Sequence, residues 1–129
     1  MSSKVVMNVG QCFPDHLSIK KLFDKLGVEL EKIDIPEEVI KLLKENKNKY
    51  ALVLINRKID LDYSNGIDLI KKIKNDPDIK DIPVMLVSNY KEAQEEAVRY
   101  GALYGFGKAE LDNEETKEKI LNALNLKIV

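Results

Sequence analysis

Residues 50–56 read YALVLIN, a run of apolar residues that stops at an asparagine. Three other short apolar runs stop in a similar way: residues 4–9 before Gly10 and Gln11, residues 83–87 before Ser88, and residues 103–107 before Lys108. Apolar side chains at consecutive positions indicate strands buried on both faces, as in a parallel sheet covered by helices. Ligands of such sheets bind beyond the carboxyl ends of the strands. The stopping residues therefore mark a candidate site, and none of them is a carboxylate.

Stretches with helical spacing lie between these strands. The first covers residues 14–26, with Leu17, Leu22, Phe23 and Leu26 on one face, and Gly27 is expected to end it. Residues 28–33 then alternate apolar and charged side chains, as an edge strand with one wet face would. The remaining helices are predicted at residues 36–47, at 66–75 with Ile67, Ile70 and Ile73 inward, at 91–100 and at 114–124, with capping-box spacing from Asp34, Asn89 and Asp112.

The order of these elements is strand then helix, five times over. This order predicts a doubly wound α/β fold, a flavodoxin-like three-layer sandwich whose parallel sheet has the strand order 2-1-3-4-5. A chain of 129 residues suits one domain, so a single domain over residues 1–129 is expected.

Composition restricts the function classes. The formal charge of −1 gives no broad electrostatic case for binding nucleic acid or an anionic membrane, and neither partner is expected. A single Cys excludes an internal disulfide and fits a reducing compartment. The first apolar run is too short for a signal peptide or a membrane span, so a cytoplasmic location is expected.

The order and spacing of several motifs make the whole chain similar to one known family. They are residues 50–56, GIDLIKKIK at 66–74, IPVMLVS at 82–88, YGA at 100–102, and Lys108. In this combination the chain resembles the CheY-like receiver domains of response regulators. That resemblance implies the same fold and a role in two-component or phosphorelay-type signalling.

The same resemblance assigns a role to each stopping residue. Receiver domains hold Mg²⁺ with an acidic pair after the first strand and accept a phosphoryl group on an Asp after the third. A Ser or Thr after the fourth strand and a Lys after the fifth contact the phosphoryl oxygens. The matching positions here are Gly10 and Gln11 for the acidic pair, Asn56 for the acceptor, Ser88 for the hydroxyl and Lys108 for the lysine. The chain therefore resembles a degenerate pseudo-receiver that retains two of the roles and lacks all three carboxylates.

These substitutions predict a protein without the phosphoryl chemistry. Mg²⁺ prefers oxygen ligands that include a carboxylate, so no metal site and no cofactor are expected. An amide is not a usable nucleophile, so Asn56 cannot form an acyl phosphate, and the chain is not expected to be an enzyme. Lys108, with no carboxylate expected in the pocket, should reach solvent, contact carbonyls or bind an external anion.

The leading hypothesis is a stand-alone signalling module that acts by phosphorylation-independent protein–protein interaction. In receiver domains the surface of the fourth helix, fifth strand and fifth helix commonly meets a partner or a second copy. The corresponding residues here are Tyr90, Glu95, Arg99, Tyr104 and Glu118. Exposed Tyr and Arg side chains are typical anchors of interfaces.

Two alternatives belong to other classes. The remnant pocket of Asn56, Ser88 and Lys108, with Arg57 and Lys58 at its rim, can be interpreted as a receptor for a small ligand or anion. Asp60 or Asp62 can be interpreted as a displaced phosphoacceptor, although a loop carboxylate is more often a solvated turn residue. Cys12 and His16 have a spacing that could share a metal, but two ligands without a third seldom make a site. Ser88 has an equally good structural interpretation as a cap of the fourth helix.

Overall fold

The fold is a five-stranded parallel sheet with helices on both faces. The computed structural model describes residues 5–125, and its strand order is β2-β1-β3-β4-β5. The strands are β1 (Val5–Val9), β2 (Glu29–Ile33), β3 (Tyr50–Asn56), β4 (Val84–Val87) and β5 (Leu103–Phe106). The predicted fold class and strand order are confirmed. Lys4, predicted as the first residue of β1, lies outside the described residues.

Five α-helices connect the strands: α1 (Phe13–Leu26), α2 (Pro36–Glu45), α3 (Gly66–Lys74), α4 (Lys91–Arg99) and α5 (Glu114–Ala123). As predicted, α1 ends at Gly27, whose φ of 73° is in the left-handed region that favours glycine. The predicted capping boxes are wrong, because α2, α4 and α5 have Ile35, Tyr90 and Asn113 as N-caps, without a side-chain capping bond. Among the described residues there is no helix both long and apolar enough to cross a membrane.

The core has one apolar cluster on each face of the sheet. On the α3 side, Ile67, Ile70 and Ile73 are buried as predicted. On the α1 side, Ile19 and Phe23 are fully buried, whereas Leu17, predicted to face inward, is 42% exposed. Full burial of such a side chain stabilises the fold by roughly 1.5–3 kcal/mol. Phe23 is buried, and Leu22 and Leu26 pack against this cluster, as predicted; Leu17 alone of the four predicted residues is wrong, because packing selects Ile19 for the inward position.

The loop between β3 and α3 determines the shape of the site. The backbone N–H of Asp60 donates to the carbonyl of Gly10 at 2.9 Å, and Lys58 forms an isolated antiparallel bridge with Asn65. At the base of the loop, a Cβ atom on Gly66 would lie 2.0 Å from the backbone oxygen of Asn56, so no larger residue fits there. The loop is therefore folded back against the end of β1 instead of leaving that edge open.

Candidate functional site

A cleft of about 280 Å³ opens at the carboxyl end of β3 and β4. It is lined by three of the predicted site residues and five neighbours: Asn56, Ser88 and Lys108, with Arg57, Lys58, Val87, Asn89 and Tyr90. Gly10 and Gln11 do not line it and are buried. The structure thus brings the predicted acceptor, hydroxyl and lysine positions to one cleft, whereas the predicted metal-binding pair is buried outside its lining.

The side chain of Ile59 fills the space beside Gly10. A Cβ atom on Gly10 would lie 2.5 Å from Ile59 Cδ1 and 3.1 Å from Ile59 Cα, and Gly10 has a φ of +77°. Ile59 is fully buried. Any side chain at position 10 would therefore require Ile59 to shift and would adopt a strained backbone conformation. The first position of the predicted acidic pair therefore has no free space for a carboxylate side chain unless Ile59 moves.

Gln11, at the second position of that pair, is completely buried and has no hydrogen-bond partner for either amide atom among the described residues. An unsatisfied buried polar group typically costs about 1–3 kcal/mol. The side-chain amide of Gln11 therefore makes no hydrogen bond with the described residues that would offset the cost of its burial.

Asn56 has a structural role at the acceptor position. Its Nδ2 donates to two backbone oxygens, that of Gly10 at 3.2 Å and that of Lys58 at 2.7 Å. These bonds tie the end of β3 to the end of β1 and to the loop that carries Ile59. A carboxylate cannot donate either bond, so the amide stabilises this local structure in a way that an Asp could not.

Lys108 has a carboxylate partner, which corrects the expectation that it would lack one. Its Nζ donates to Asp15 Oδ2 at 2.7 Å, and this hydrogen bond lowers the pKa of the Asp15 carboxyl below its ordinary value. Asp15 belongs to the first turn of α1. This pair could not be predicted from the sequence, because its members are 93 positions apart and Asp15 matches none of the site positions that the resemblance assigns.

Ser88 and Asn89 connect the ends of β4 and β5. Ser88 Oγ accepts from the backbone N–H of Tyr90 at 3.1 Å, which is close to the predicted capping role. Asn89 Oδ1 accepts from the N–H of Ala109 at 3.1 Å. Ser88 and Asn89 both line the cleft, and neither the Ser88 hydroxyl hydrogen nor the Asn89 NH₂ group has an acceptor among the described residues.

Gln94 is a site-forming residue that the sequence analysis missed. It is buried, its Nε2 donates to the oxygens of Leu86 and Ser88 at 2.9 and 3.1 Å, and its Oε1 accepts from the N–H of Gly105 at 2.8 Å. A Cβ atom on Gly105 would lie 2.1 Å from the Leu86 oxygen. Gln94 therefore joins β4 to β5 beside the cleft, and in the sequence it looks like an ordinary polar residue of an exposed helix.

The residues of the predicted partner surface are exposed, but Tyr90 lies at the cleft and the others lie on α4, β5 and α5. Tyr90 is 65% exposed and lies at the cleft, with the Arg57 guanidinium 6.0 Å from its ring centroid. Tyr104 lies on β5, with Lys119 Nζ 4.9 Å from its ring centroid. Three charged residues of the set are also exposed: Glu95 and Arg99 on α4, and Glu118 on α5.

The alternative candidates have local partners. Asn8 Nδ2 donates to His16 Nδ1 at 3.0 Å, and burial lowers the pKa of the His16 ring. Among residues 5–125, no three His, Cys, Asp or Glu side chains are grouped as metal ligands would be. Asp62 Oδ1 accepts from the N–H and hydroxyl of Ser64 at 3.0 and 2.6 Å, which lowers its pKa and gives it the role of a turn residue. Asp60 is exposed.

Solved structures similar to this one include response regulators and receiver domains. A Chloroflexus aurantiacus protein assigned as a response regulator has a TM-score of 0.79 and 16% identity, with 96% of this chain and 99% of that chain covered. A Thermotoga maritima response regulator has a TM-score of 0.74 and 21% identity, with coverage of 96% and 99%. The receiver domain of a Pseudomonas aeruginosa sensor histidine kinase, with magnesium coordinated in its active-site cleft, has a TM-score of 0.70 and 11% identity, with coverage of 96% and 99%. No protein-family model and no curated protein matches the chain in sequence.

These likenesses establish the CheY-like flavodoxin fold. The predicted resemblance to receiver domains is thereby confirmed at the level of structure. At sequence identities of 11–21%, these structures show the fold and do not show the chemistry of the site.

Proposed function

We propose that this protein is a receiver-like signalling module that works without phosphorylation, as a degenerate pseudo-receiver and not as an enzyme. The observation that carries the proposal is the packing of Ile59 against Gly10, where a metal-binding carboxylate would have to stand. Asn56 supports it, since its amide is engaged with two backbone oxygens. Phosphoryl transfer depends on neutralising the charge of the transferred group, which a bound metal normally does. A cytoplasmic location in a two-component-type pathway belongs to the same proposal.

The proposed mode of action is protein–protein interaction through α4, β5 and α5. Val98 of α4 and Leu103 and Tyr104 of β5 are each between 42% and 44% exposed. Arg99 and Glu118 supply charges beside these apolar side chains. Aromatic and Arg residues commonly dominate the binding energy of an interface, so this surface suits a signalling protein or a second copy of the chain.

The absence of phosphoryl chemistry is tested by intact-mass measurement after incubation with acetyl phosphate and Mg²⁺. The wild-type protein is expected to keep its mass. An acid-labile phosphoryl adduct would overturn the proposal, and its loss in Asp60→Asn or Asp62→Asn would identify a displaced acceptor.

The partner surface is tested by sedimentation of the purified protein and by pull-down followed by affinity measurement. Tyr104→Ala or Arg99→Ala should weaken the association that is found by about 2 kcal/mol, the level expected of a hot spot. Glu37→Ala, an exposed position on α2, is the matched control. Unchanged affinity in both surface variants would exclude this surface.

A further inference from the structure

Exposed apolar side chains surround the carboxyl end of β1. They are Phe13 and Leu17 of α1, Ile35 at the start of α2, and Leu61 and Tyr63 of the loop after β3, and their exposed fractions range from 38% to 72%. Together they form the β1-end surface. Clustered apolar side chains on a protein surface, unlike single ones, mark places that associate with other molecules.

The three chain segments that carry this surface meet at Gly10. The N–H of Gly10 donates to the oxygen of Ile33 at 3.0 Å, and its oxygen accepts from the N–H of Asp60 at 2.9 Å. Ile33 stands two residues before Ile35, and Asp60 is next to Leu61. The exposed apolar residues of both loops are therefore close in the chain to one point at the end of the sheet.

Helix α1 starts beside the same point. Phe13 begins the helix three residues after Gly10, and Leu17 follows four positions later on the same face. The helix thus adds two exposed apolar side chains to those of the loops.

The loop after β3 holds its aromatic side chain outward in a strained conformation. Tyr63 has a φ of +59°, in the left-handed region that bulky residues seldom adopt. The N–H of Tyr63 donates to the oxygen of Ile59 at 2.8 Å, and the N–H of Ile59 donates to the oxygen of Ser64 at 2.9 Å. These bonds fix the turn, yet the ring is the most exposed of the surface. Backbone strain of this kind clusters at functional sites, which favours a contact role for the ring.

Acidic side chains border the β1-end surface. Asp60 and Asp62 flank Leu61, and Glu38 lies three positions after Ile35 on α2. Within residues 5–125, none of these three carboxylates lies within ion-pair distance of a cation. The border therefore carries negative charge that the described part of the chain does not neutralise.

The cations of the same segments lie apart from these acids. Lys20 and Lys32 are each paired with another carboxylate. Arg57 and Lys58 line the cleft at the ends of β3 and β4, and each lies over a tyrosine ring. Lys41 of α2 is exposed and outside ion-pair distance of the described carboxylates. The basic flank of the loop is thus on the cleft side, and the acidic border is at the β1-end surface.

We propose that the β1-end surface binds a cationic amphipathic segment of another protein. Apolar side chains of that segment would pack on Leu61 and Tyr63, and its Lys or Arg side chains would contact Asp60 and Glu38. Complementary charge of this kind selects a partner and speeds its association. The inference does not depend on the α4, β5 and α5 surface, so either can fail alone.

Two variants separate contact from folding. Tyr63→Gly removes the ring, and glycine adopts a positive φ without strain, so the stability should stay close to that of wild type while binding weakens by about tenfold or more. The pair Glu38→Gln, Asp60→Asn should also weaken binding and should reduce its salt dependence. The matched control is Glu114→Gln, Glu115→Gln, which removes the same charge from exposed positions in the first turn of α5.

The test is a titration of the ¹⁵N-labelled protein, followed by NMR, with a synthetic amphipathic peptide of Leu and Lys about 14 residues long, or roughly four helical turns. The same peptide with Glu in place of each Lys is the charge control. Saturable shifts of the Phe13, Leu61 and Tyr63 amides are expected with the Lys peptide. They should weaken in both β1-end variants and persist in the α5 control and in Tyr104→Ala.

Three results would overturn the inference. The first is equal binding of the Glu peptide, and the second is equal loss of binding in the acidic double variant and its α5 control. The third is an absence of saturable shifts at the β1-end surface. Sedimentation adds an independent check, because self-association that Tyr63→Gly abolishes would assign the surface to a second copy of the chain and not to a cationic partner.

Discussion

Replacing Asn56 by Asp restores the residue type of a phosphoacceptor and should destabilise this protein. The amide donates two hydrogen bonds to backbone oxygens, those of Gly10 and Lys58. A hydrogen bond of this kind contributes about 0.5–1.5 kcal/mol net, so the loss of both should cost about 1–3 kcal/mol. The introduced carboxylate would also face two oxygens that accept and cannot donate. Repulsion adds to the cost while the carboxyl is ionised.

The pH dependence of this variant follows from the same contacts. The carbonyl oxygens disfavour the charged form, so the pKa of the introduced carboxyl should be raised in the folded state. A protonated carboxyl can donate one of the lost bonds. The variant should therefore be closest to wild type below the unfolded carboxyl pKa of about 3.9, and its deficit should grow as pH rises through the raised folded pKa.

Urea unfolding at several pH values measures both effects. Asn89→Asp is the matched control, because Asn89 uses its oxygen as an acceptor from Ala109, which a carboxylate can also do. Equal midpoints for the two variants at neutral pH would refute the hydrogen-bond argument. A phosphoryl adduct on Asn56→Asp after acetyl phosphate and Mg²⁺ would refute the proposal that the site cannot work without its metal-binding pair.

Three further perturbations test the site. Gly10→Asp should lower the unfolding midpoint, because the new side chain meets Ile59. Millimolar Mg²⁺ should not raise the stability of this variant, since a ligand that does not bind the folded state cannot stabilise it. A rise in melting temperature with Mg²⁺ that a monovalent salt does not produce would contradict this. Gln94→Leu should lower the free energy of unfolding by about 3 kcal/mol and speed amide exchange at Gly105, because the buried groups that Gln94 bonds would lose their partner. A Gly105 exchange rate equal to that of wild type would argue against the link between β4 and β5. Asp15→Asn should cost less than about 1 kcal/mol, because its pair with Lys108 is partly solvated. Since the folded pKa of Asp15 is lowered, this difference should exist above the unfolded pKa and vanish as pH falls through the folded pKa, which urea midpoints at pH 7 and pH 2 would check.

The fold could be predicted from the sequence because its signals are local and repeated. Four strands have an apolar run each, β2 has the alternating pattern of an edge strand, and Gly27 ends α1 in a conformation that glycine adopts readily. The inward position of Leu17 and the three predicted capping boxes were wrong because local sequence does not decide them. Whether Leu17 or Ile19 is buried depends on how α1 packs against the sheet. The side-chain oxygen of Asn89 accepts a hydrogen bond from the N–H of Ala109 and does not cap α4.

The candidate site was predicted only as far as residue types at strand ends allow. Asn56, Ser88 and Lys108 do converge on one cleft. The pairing of Lys108 with Asp15 and the position of Ile59 depend on where α1 and the loop after β3 come to rest in three dimensions. Asp15 and Ile59 do not stand at strand ends, so a search for polar residues at strand ends could not find them.

Asn56 and Ile59 form one interdependent arrangement. The Asn56 amide donates to the backbone oxygen of Gly10, at the end of β1, and to that of Lys58, the residue immediately before Ile59. The Asp60 N–H, immediately after Ile59, donates to the same Gly10 oxygen. Both neighbours of Ile59 are thus bound to groups that converge on Gly10, and the side chain between them is directed into the space a Cβ of residue 10 would need. A carboxylate at position 56 would lose both of these hydrogen bonds, and one at position 10 would meet Ile59, so each single substitution is expected to disturb the same arrangement.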